Sequence, residues 1–130
     1  MTPATAAMPD VKKPMTLNEI SQLGYNQKTK EVFDGATLTV QTLSLSRQQK
    51  ILSNIPAEAT DPLVRYTHLQ IETLANATLA INDEKYSEAD VNRLRAFYGG
   101  LQSRVLQFFY EVYQDMMDEQ EKTLSGLKKT

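Results

Sequence analysis

The sequence has no cysteine among its 130 residues, which excludes disulfide bonds and any chemistry that depends on a thiolate. Strong positive charge is also missing, and the net charge of -2 lacks the basic footprint of a nucleic-acid-binding domain. No apolar run approaches the ~20 residues that span a bilayer, and the N-terminus has no apolar core of a secretory signal. We therefore expect a cytoplasmic protein with no nucleic-acid or membrane partner.

Side chains that carry chemistry are sparse. His68 is the only histidine, whereas a metal site needs several ligands and a general base needs an oriented partner. Glu72 follows one helical turn later, so His68 is predicted to be a structural, partly buried residue within hydrogen-bonding reach of Glu72. The acidic residues from Asp83 to Asp90 lack the glycine and the alternating oxygen ligands of a calcium-binding loop. The sequence predicts no enzyme, no metal site and no cofactor.

Length and composition predict one domain. A chain of 130 residues with 41% apolar and 23% charged residues is ordinary for a globular protein. Residues 1–15 contain Pro3, Pro9 and Pro14 and few groups that could form a core, which predicts a flexible N-terminal arm. This arm either stays solvated or orders along a partner. Residues 16–130 are predicted to form a single helical domain.

Four helical segments are predicted in this domain. Thr16 with Glu19 and Ser87 with Asp90 are spaced as capping boxes, and Asp61 precedes a proline at a helix start. The predicted helices cover residues 16–23, a segment from Ser44 or Ser46 to Pro56, residues 61–81 and residues 87–129. The inner face of the second helix is predicted to consist of Ile51, Leu52 and Ile55. The predicted fold class is therefore mainly α, with about four helices, a small β-hairpin and a long C-terminal helix.

The hairpin is predicted over residues 30–40. Val32 and Phe33 precede Asp34-Gly35, a pair typical of a tight two-residue turn, and β-branched residues alternate from Thr37 to Val40. An isolated hairpin is only marginally stable in water. It must therefore pack on the helices or pair with a strand of another chain.

A glycine pair, Gly99-Gly100, interrupts the predicted C-terminal helix. Two glycines cost roughly 2 kcal/mol relative to alanine in a helix interior, so something should compensate for them. The pair predicts either a close helix crossing or a kink, and a hinge that swings the last helix onto a partner is a further hypothesis. A phosphate-binding loop is rejected because no strand precedes the pair and no GK[ST] follows it.

Aromatic and methionine side chains crowd the C-terminal helix from Val105 to Met117. They occupy more than one side, and such a helix is either buried in its own fold or covered by another chain. The other predicted helices are short, and aromatic and methionine residues suit adaptable interfaces. Core and interface therefore remain alternatives for this segment.

Three stretches of the sequence resemble a known family. They read TLTVQTLSLSRQQKIL, LAIND, and YSEADVNRL followed by VLQFFYEVYQDMMDEQ. Together they are similar to the small tail assembly chaperones of tailed phages, in a pattern of apolar spacing that covers residues 37–120. The matching positions are Val40, Leu43, Ser44 and Arg47, then Leu106, Tyr110, Glu111, Val112 and Tyr113. The proline-containing arm and the glycine pair depart from the family pattern.

The resemblance implies a non-enzymatic protein of the host cytoplasm. Members of this family bind the tape measure protein or unpolymerised tail subunits and keep them soluble until the tube assembles. The resemblance places partner binding on one apolar stripe, which would take a partner helix. The implied partner-binding residues are Leu101, Val105, Phe108, Phe109, Val112, Tyr113 and Met116. The pattern also resembles baseplate hub proteins, so the alternative is a structural component of a phage baseplate or tail that stays in the virion; a homo-oligomer is left open.

Overall fold

Five α-helices and two β-hairpins form residues 13–129, the part of the chain that the computed structural model describes. In chain order the elements are α1 (Leu17–Ser21), β1 (Gln27–Phe33), β2 (Ala36–Gln41), α2 (Leu45–Ser53), α3 (Pro62–Ala77), β3 (Thr78–Ile81), β4 (Glu84–Lys85), α4 (Val91–Gly99) and α5 (Ser103–Leu127). A 3-10 turn, Glu88–Asp90, precedes α4. The prediction of a mainly α fold with a long C-terminal helix is confirmed. Most of the predicted arm, residues 1–12, lies outside the described residues.

Helices α1 and α3 and the 3-10 turn begin where the capping residues predict. The Glu19 N–H donates to Thr16 Oγ1 at 3.1 Å, and Glu19 Oε1 accepts from the Thr16 N–H at 3.0 Å, which completes a capping box. Asp61 Oδ1 accepts from two backbone N–H groups of the first turn of α3, at 2.9 and 3.2 Å. Ser87 and Asp90 form the second capping box at the 3-10 turn. Each of these contacts satisfies backbone donors that a helix start leaves without an intrahelical partner.

The first hairpin forms around Asp34-Gly35 as predicted. Gly35 has a φ of +81°, a left-handed conformation that glycine adopts without steric cost. β1 begins at Gln27, three residues earlier than predicted, and pairs with β2 from Gln27–Gln41 to Phe33–Ala36. The hairpin is not isolated, because the sheet continues in the order β1-β2-β3-β4. All four strands are antiparallel to their neighbours.

The second hairpin corrects the prediction of a helix over residues 61–81. The helix ends at Ala77, and the next four residues form β3, which pairs with β2. Asn82 turns the chain with a φ of +55°, a conformation that asparagine tolerates better than most residues. Its Oδ1 accepts from the Thr37 N–H at 2.9 Å, and its own N–H donates to Thr37 O at 2.8 Å. Tertiary pairing with β2 therefore prevails over the local helical pattern of residues 78–81.

The prediction of one unbroken helix from residue 87 to 129 is wrong. α4 ends at Gly99, and Gly100 caps it by donating to Ala96 O and Phe97 O at 3.2 and 3.1 Å. Helix α5 begins three residues later, at Ser103. Of the two alternatives for the pair, the close crossing does not form, since a Cβ on Gly99 would meet nothing within 4 Å and one on Gly100 only carbonyl oxygens of α4. The glycine pair thus marks a helix end, as its low helix propensity favours.

The core lies between the sheet and the two longest helices. β2 contributes Leu38 and Val40, and α3 contributes Leu74, all fully buried against α5. Polar groups that enter this core are hydrogen-bonded: Thr78 Oγ1 donates to Leu74 O at 2.6 Å and lies 2.6 Å from Tyr98 Oη. Because the one hydroxyl proton of Thr78 is used, Tyr98 is the donor in the second bond. Since Leu38 and Val40 are buried in the same core as the apolar residues of α5, the sheet covers much of the apolar surface of α5.

Candidate protein-docking site

Most of the predicted apolar stripe lies inside this core. Four of the seven predicted partner-binding residues are buried: Phe109, Val112, Tyr113 and Met116, with exposures of 5%, 1%, 7% and 0%. Leu101 and Val105 are partly buried against the same core, and Phe108 is partly buried beside Phe33. These seven residues therefore do not form a continuous exposed stripe in this chain, and partner binding by them stays a prediction. The chain covers α5 itself, with a sheet that is twice as large as the predicted hairpin.

Contacts of Phe109 show how this covering works. Its ring lies 6.2 Å from the ring of Phe33 at the end of β1, and 6.0 Å from the ring of Tyr98 in α4. Phe33 also packs edge to face on Phe108 at 5.7 Å. Such pairs add to the burial of apolar area. Phe109 thus joins the sheet, α4 and α5, and has no face left for a partner.

One side of α5 remains open, and we call it the tyrosine groove. It lies between α2, α3 and α5 and encloses a cavity of about 180 Å³. Its lining residues are Leu43, Gln48, Ile51, Leu52, Leu69, Thr73, Tyr110 and Tyr113. Leu52 was predicted to face inward but is 57% exposed at the groove, whereas Ile51 and Ile55 are buried as predicted. The groove is apolar and contiguous with a buried core, as protein-binding clefts commonly are.

Two stacked tyrosines form the floor of the groove. The rings of Tyr110 and Tyr113 lie 5.9 Å apart, and Tyr66 packs edge to face on Tyr110 at 6.1 Å. Burial raises the pKa of Tyr110 to about 12 and raises that of Tyr113 as well. Neither phenol oxygen has a hydrogen-bond partner within residues 13–129, and neither belongs to the fully buried atoms. Both hydroxyls are therefore unused donors that keep some contact with solvent.

An acidic end continues the tyrosine groove along α5. Tyr110 and Tyr113 also line a second cavity, of about 420 Å³, together with Met117, Asp115 and Asp118. Because Tyr110 and Tyr113 line both cavities, the two cavities adjoin and form one surface. This surface is apolar near α2 and negatively charged towards the C-terminal end of α5. An amphipathic segment with an apolar face and a positive charge at one end is complementary to it.

The predicted contact between His68 and Glu72 does not form. Glu72 instead receives two hydrogen bonds from the Arg95 guanidinium of α4, one of them from Nη2 at 2.8 Å, and a longer one of 3.5 Å from Asn54. His68 is partly buried on α3. Within residues 13–129 no group of three or more acidic or histidine side chains could hold a metal ion. Nor is any helix of that part long and apolar enough to cross a bilayer.

A polar cluster on α3 is the feature that the sequence analysis missed. Within residues 13–129 six polar residues are buried. Two of them, Glu72 and Asn76, form this cluster and are 5% and 7% exposed. Asn76 Nδ2 donates to Glu72 O at 2.8 Å, and Asn76 Oδ1 accepts from Arg47 Nε at 2.7 Å. Their spacing of four residues beside Leu74 and Ala75 was the available signal, since it places two polar groups on one otherwise apolar helical face.

Comparisons with known proteins add no relative to these observations. The chain matches no protein-family model, no curated protein and no solved structure.

Proposed function

We propose that this protein is a non-enzymatic phage tail assembly factor, a chaperone or adaptor that binds the tape measure protein or tail subunits. The tyrosine groove is its proposed binding site, and an amphipathic helix of the client is the proposed occupant. The supporting observation is an open apolar groove lined by two tyrosines whose hydroxyls have no hydrogen-bond partner within residues 13–129. The proposed contact shares Tyr113 with the stripe that the sequence suggested and otherwise uses different residues.

The groove has the chemistry of a helix-binding site. Three helices wall it, and apolar anchors of an amphipathic helix, spaced by three and four residues, suit such a cleft. Tyrosines are enriched among the residues that dominate binding energy, because each combines a large rigid ring with a hydroxyl donor. Asp115 and Asp118 at one end favour a client helix that carries lysine or arginine there.

The assignment to tail assembly comes from the sequence resemblance. Among the positions that carry it, Leu43, Tyr110 and Tyr113 line the tyrosine groove. Others serve the fold: Val40 is fully buried in β2, and Ser44 caps α2 by accepting from the Arg47 N–H at 3.2 Å. The resemblance and the groove therefore meet at three residues, which supports one function for both.

Coexpression with the tape measure protein of the same genome tests the proposal. The unmodified chain should keep that client in the soluble fraction and copurify with it. Leu52→Asp places a charge in the groove and should abolish both effects. Leu17→Asp is the matched control, since Leu17 is 87% exposed on α1, away from the groove, and should bind as the unmodified chain does. If Leu52→Asp and Leu17→Asp both lose client binding, or both keep it, the groove is not the binding site.

A structural component of the tail or baseplate is the second candidate function. The observation that favours it is β1, a strand of seven residues whose outer edge pairs with no strand of residues 13–129. Such an edge can accept a strand from a neighbouring subunit. Quantitative mass spectrometry of purified particles separates the two candidates. A fixed copy number relative to the tube subunit supports the structural component, whereas absence from particles supports the chaperone.

A further inference from the structure

A third cavity, on the side of α3 that faces α4, has basic and polar walls. It encloses about 310 Å³ between α2, α3, the 3-10 turn and α4. We call it the basic pocket, defined by Arg47, Lys50 and Arg95. Three asparagines supply its amide groups: Asn54 directly after α2, Asn76 in α3 and Asn92 in α4. Glu88 is the only acidic residue in its lining.

Both guanidinium groups of the basic pocket are held in place by α3. Arg95 is fixed by the buried carboxylate of Glu72, and Arg47 Nε donates to Asn76 Oδ1 at 2.7 Å. The two anchors are four residues apart in α3, which separates them by about 6 Å along the helix axis. The two guanidiniums are therefore ordered side by side before any ligand arrives, and a ligand binds with less loss of side-chain entropy.

Positive charge exceeds negative charge in the basic pocket. Glu72 neutralises Arg95, and Glu88 lies 2.9 Å from Arg47 Nη1. Lys50, one helical turn after Arg47, forms no ion pair within residues 13–129 and leaves one positive charge in excess. The Glu88 side chain is 71% exposed, so its ion pair with Arg47 is weak and exchangeable, unlike that of the buried Glu72.

We propose that the basic pocket binds a phosphate group, which displaces Glu88 from Arg47 and gains Lys50 as a second cation. Arginine is suited to this ligand because its planar donors match pairs of phosphate oxygens, and lysine adds a mobile point charge. The cavity is larger than one phosphate ion. It therefore admits either free inorganic phosphate or a phosphate carried by a small organic molecule. This site is separate from the tyrosine groove and does not depend on the proposed client.

Calorimetric titration of the full chain with inorganic phosphate and with glycerol phosphate, in chloride buffer of matched ionic strength, tests the site. Saturable binding at one site per chain is expected. Lys50→Gln should weaken it about tenfold, the effect of losing one charged hydrogen bond. Glu88→Gln should tighten it, because the competing carboxylate is gone. Lys122→Gln and Glu84→Gln are matched controls outside the pocket and should leave the affinity unchanged.

The opposite signs expected for Lys50→Gln and Glu88→Gln distinguish a site from general charge attraction. Binding of both ligands means that the phosphate group alone suffices, and binding of glycerol phosphate only means that the carrier contributes. The proposal would be overturned if the phosphate ligands gave no more heat than a control injection of chloride. It would also be overturned if all four variants bound phosphate with equal affinity. Circular dichroism of each variant shows that the fold is retained, since Lys50 and Glu88 are both exposed.

Discussion

Glu72 of α3 and Arg95 of α4 form an ion pair through two hydrogen bonds, with the carboxylate side chain 6% exposed and the guanidinium side chain 35% exposed. The pair joins helices that are separated by the second hairpin in the sequence. Asn54 of α2 also reaches the carboxylate, at 3.5 Å. One buried charge thus ties three helices together, and its removal should test how α4 is held.

Replacing Arg95 by methionine should lower the free energy of unfolding by about 2 kcal/mol, because it leaves the Glu72 carboxylate buried without its cation. The value is below that of a fully buried pair, since Arg95 is partly solvated. Arg93→Met is the control: Arg93 pairs with Glu84 at 2.7 Å, both side chains are more than half exposed, and the expected cost is under about 1 kcal/mol. Urea unfolding measures both. Equal costs would contradict a structural role for the buried pair.

The helix break at Gly99-Gly100 should tolerate side chains. Gly100 has right-handed backbone angles, φ -92° and ψ -2°, and a Cβ there would meet carbonyl oxygens only at 3.5 and 3.6 Å. Gly100→Ala should therefore stabilise the fold by about 0.5–1 kcal/mol, because it restricts the unfolded chain. The overpacking expected of a close crossing does not apply.

Gly24→Ala is the contrasting variant. Gly24 has a φ of +84°, and its Cβ would lie 3.1 Å from a methyl group of Leu124. This change should destabilise the fold, since alanine is strained at positive φ and the space is already filled. Urea midpoints of both variants against the unmodified chain check the signs. A loss of stability in Gly100→Ala would show that the break needs a glycine.

Local signals in the sequence predicted the starts of α1, α2, α3 and the 3-10 turn, and the first turn, correctly, but not the start of α5. Thr16, Ser44, Asp61 and Ser87 each cap the element that follows them, and these contacts span only two or three residues. The turn at Asp34-Gly35 is likewise local. Such features depend on neighbours in the chain, so the sequence contains the whole of their physical cause.

The second hairpin and the burial of α5 could not be predicted from local signals, because both depend on contacts between distant parts of the chain. Residues 78–81 continue the apolar spacing of α3, and only their pairing with β2 makes them a strand. Once that hairpin was missed, the predicted fold had too little surface to cover α5. Phe109 was therefore assigned to an interface, although Phe33 and Tyr98 cover it within the chain. Of the residues that line the tyrosine groove, the predicted partner-binding set contains only Tyr113.

A comparison of Phe109 with Leu52 separates core from surface. Phe109 is 5% exposed, so Phe109→Ala should cost about 3–5 kcal/mol of unfolding free energy. Leu52 is 57% exposed, and Leu52→Ala should cost well under about 1 kcal/mol. Thermal unfolding followed by circular dichroism measures both. If the two variants lose similar stability, the packing of Phe109 against Phe33 and Tyr98 is not the main support of α5.

Alkaline pH should unfold the chain through its buried tyrosines. Burial raises the pKa of Tyr98 and raises that of Tyr110 to about 12, above the value of 10.0 that applies when the chain is unfolded. The folded state therefore holds these protons more tightly. Its stability is fully present below about pH 10 and is lost as the pH rises from there towards 12. Burial of the neutral phenol, not a charge partner, is the main cause of both shifts.

Tyr110→Phe tests this linkage, because phenylalanine keeps the ring and has no proton to lose. The urea midpoint of the unmodified chain should fall steeply between about pH 10 and about pH 12, and that of Tyr110→Phe should fall less. At about pH 8 the two should be nearly equal, since Tyr110 Oη has no hydrogen-bond partner within residues 13–129 that the change would remove. Tyr98→Phe should also flatten the alkaline slope but should lose about 1 kcal/mol at pH 8, with its bond to Thr78. Parallel slopes in all three proteins would contradict the assignment of alkaline unfolding to these phenols.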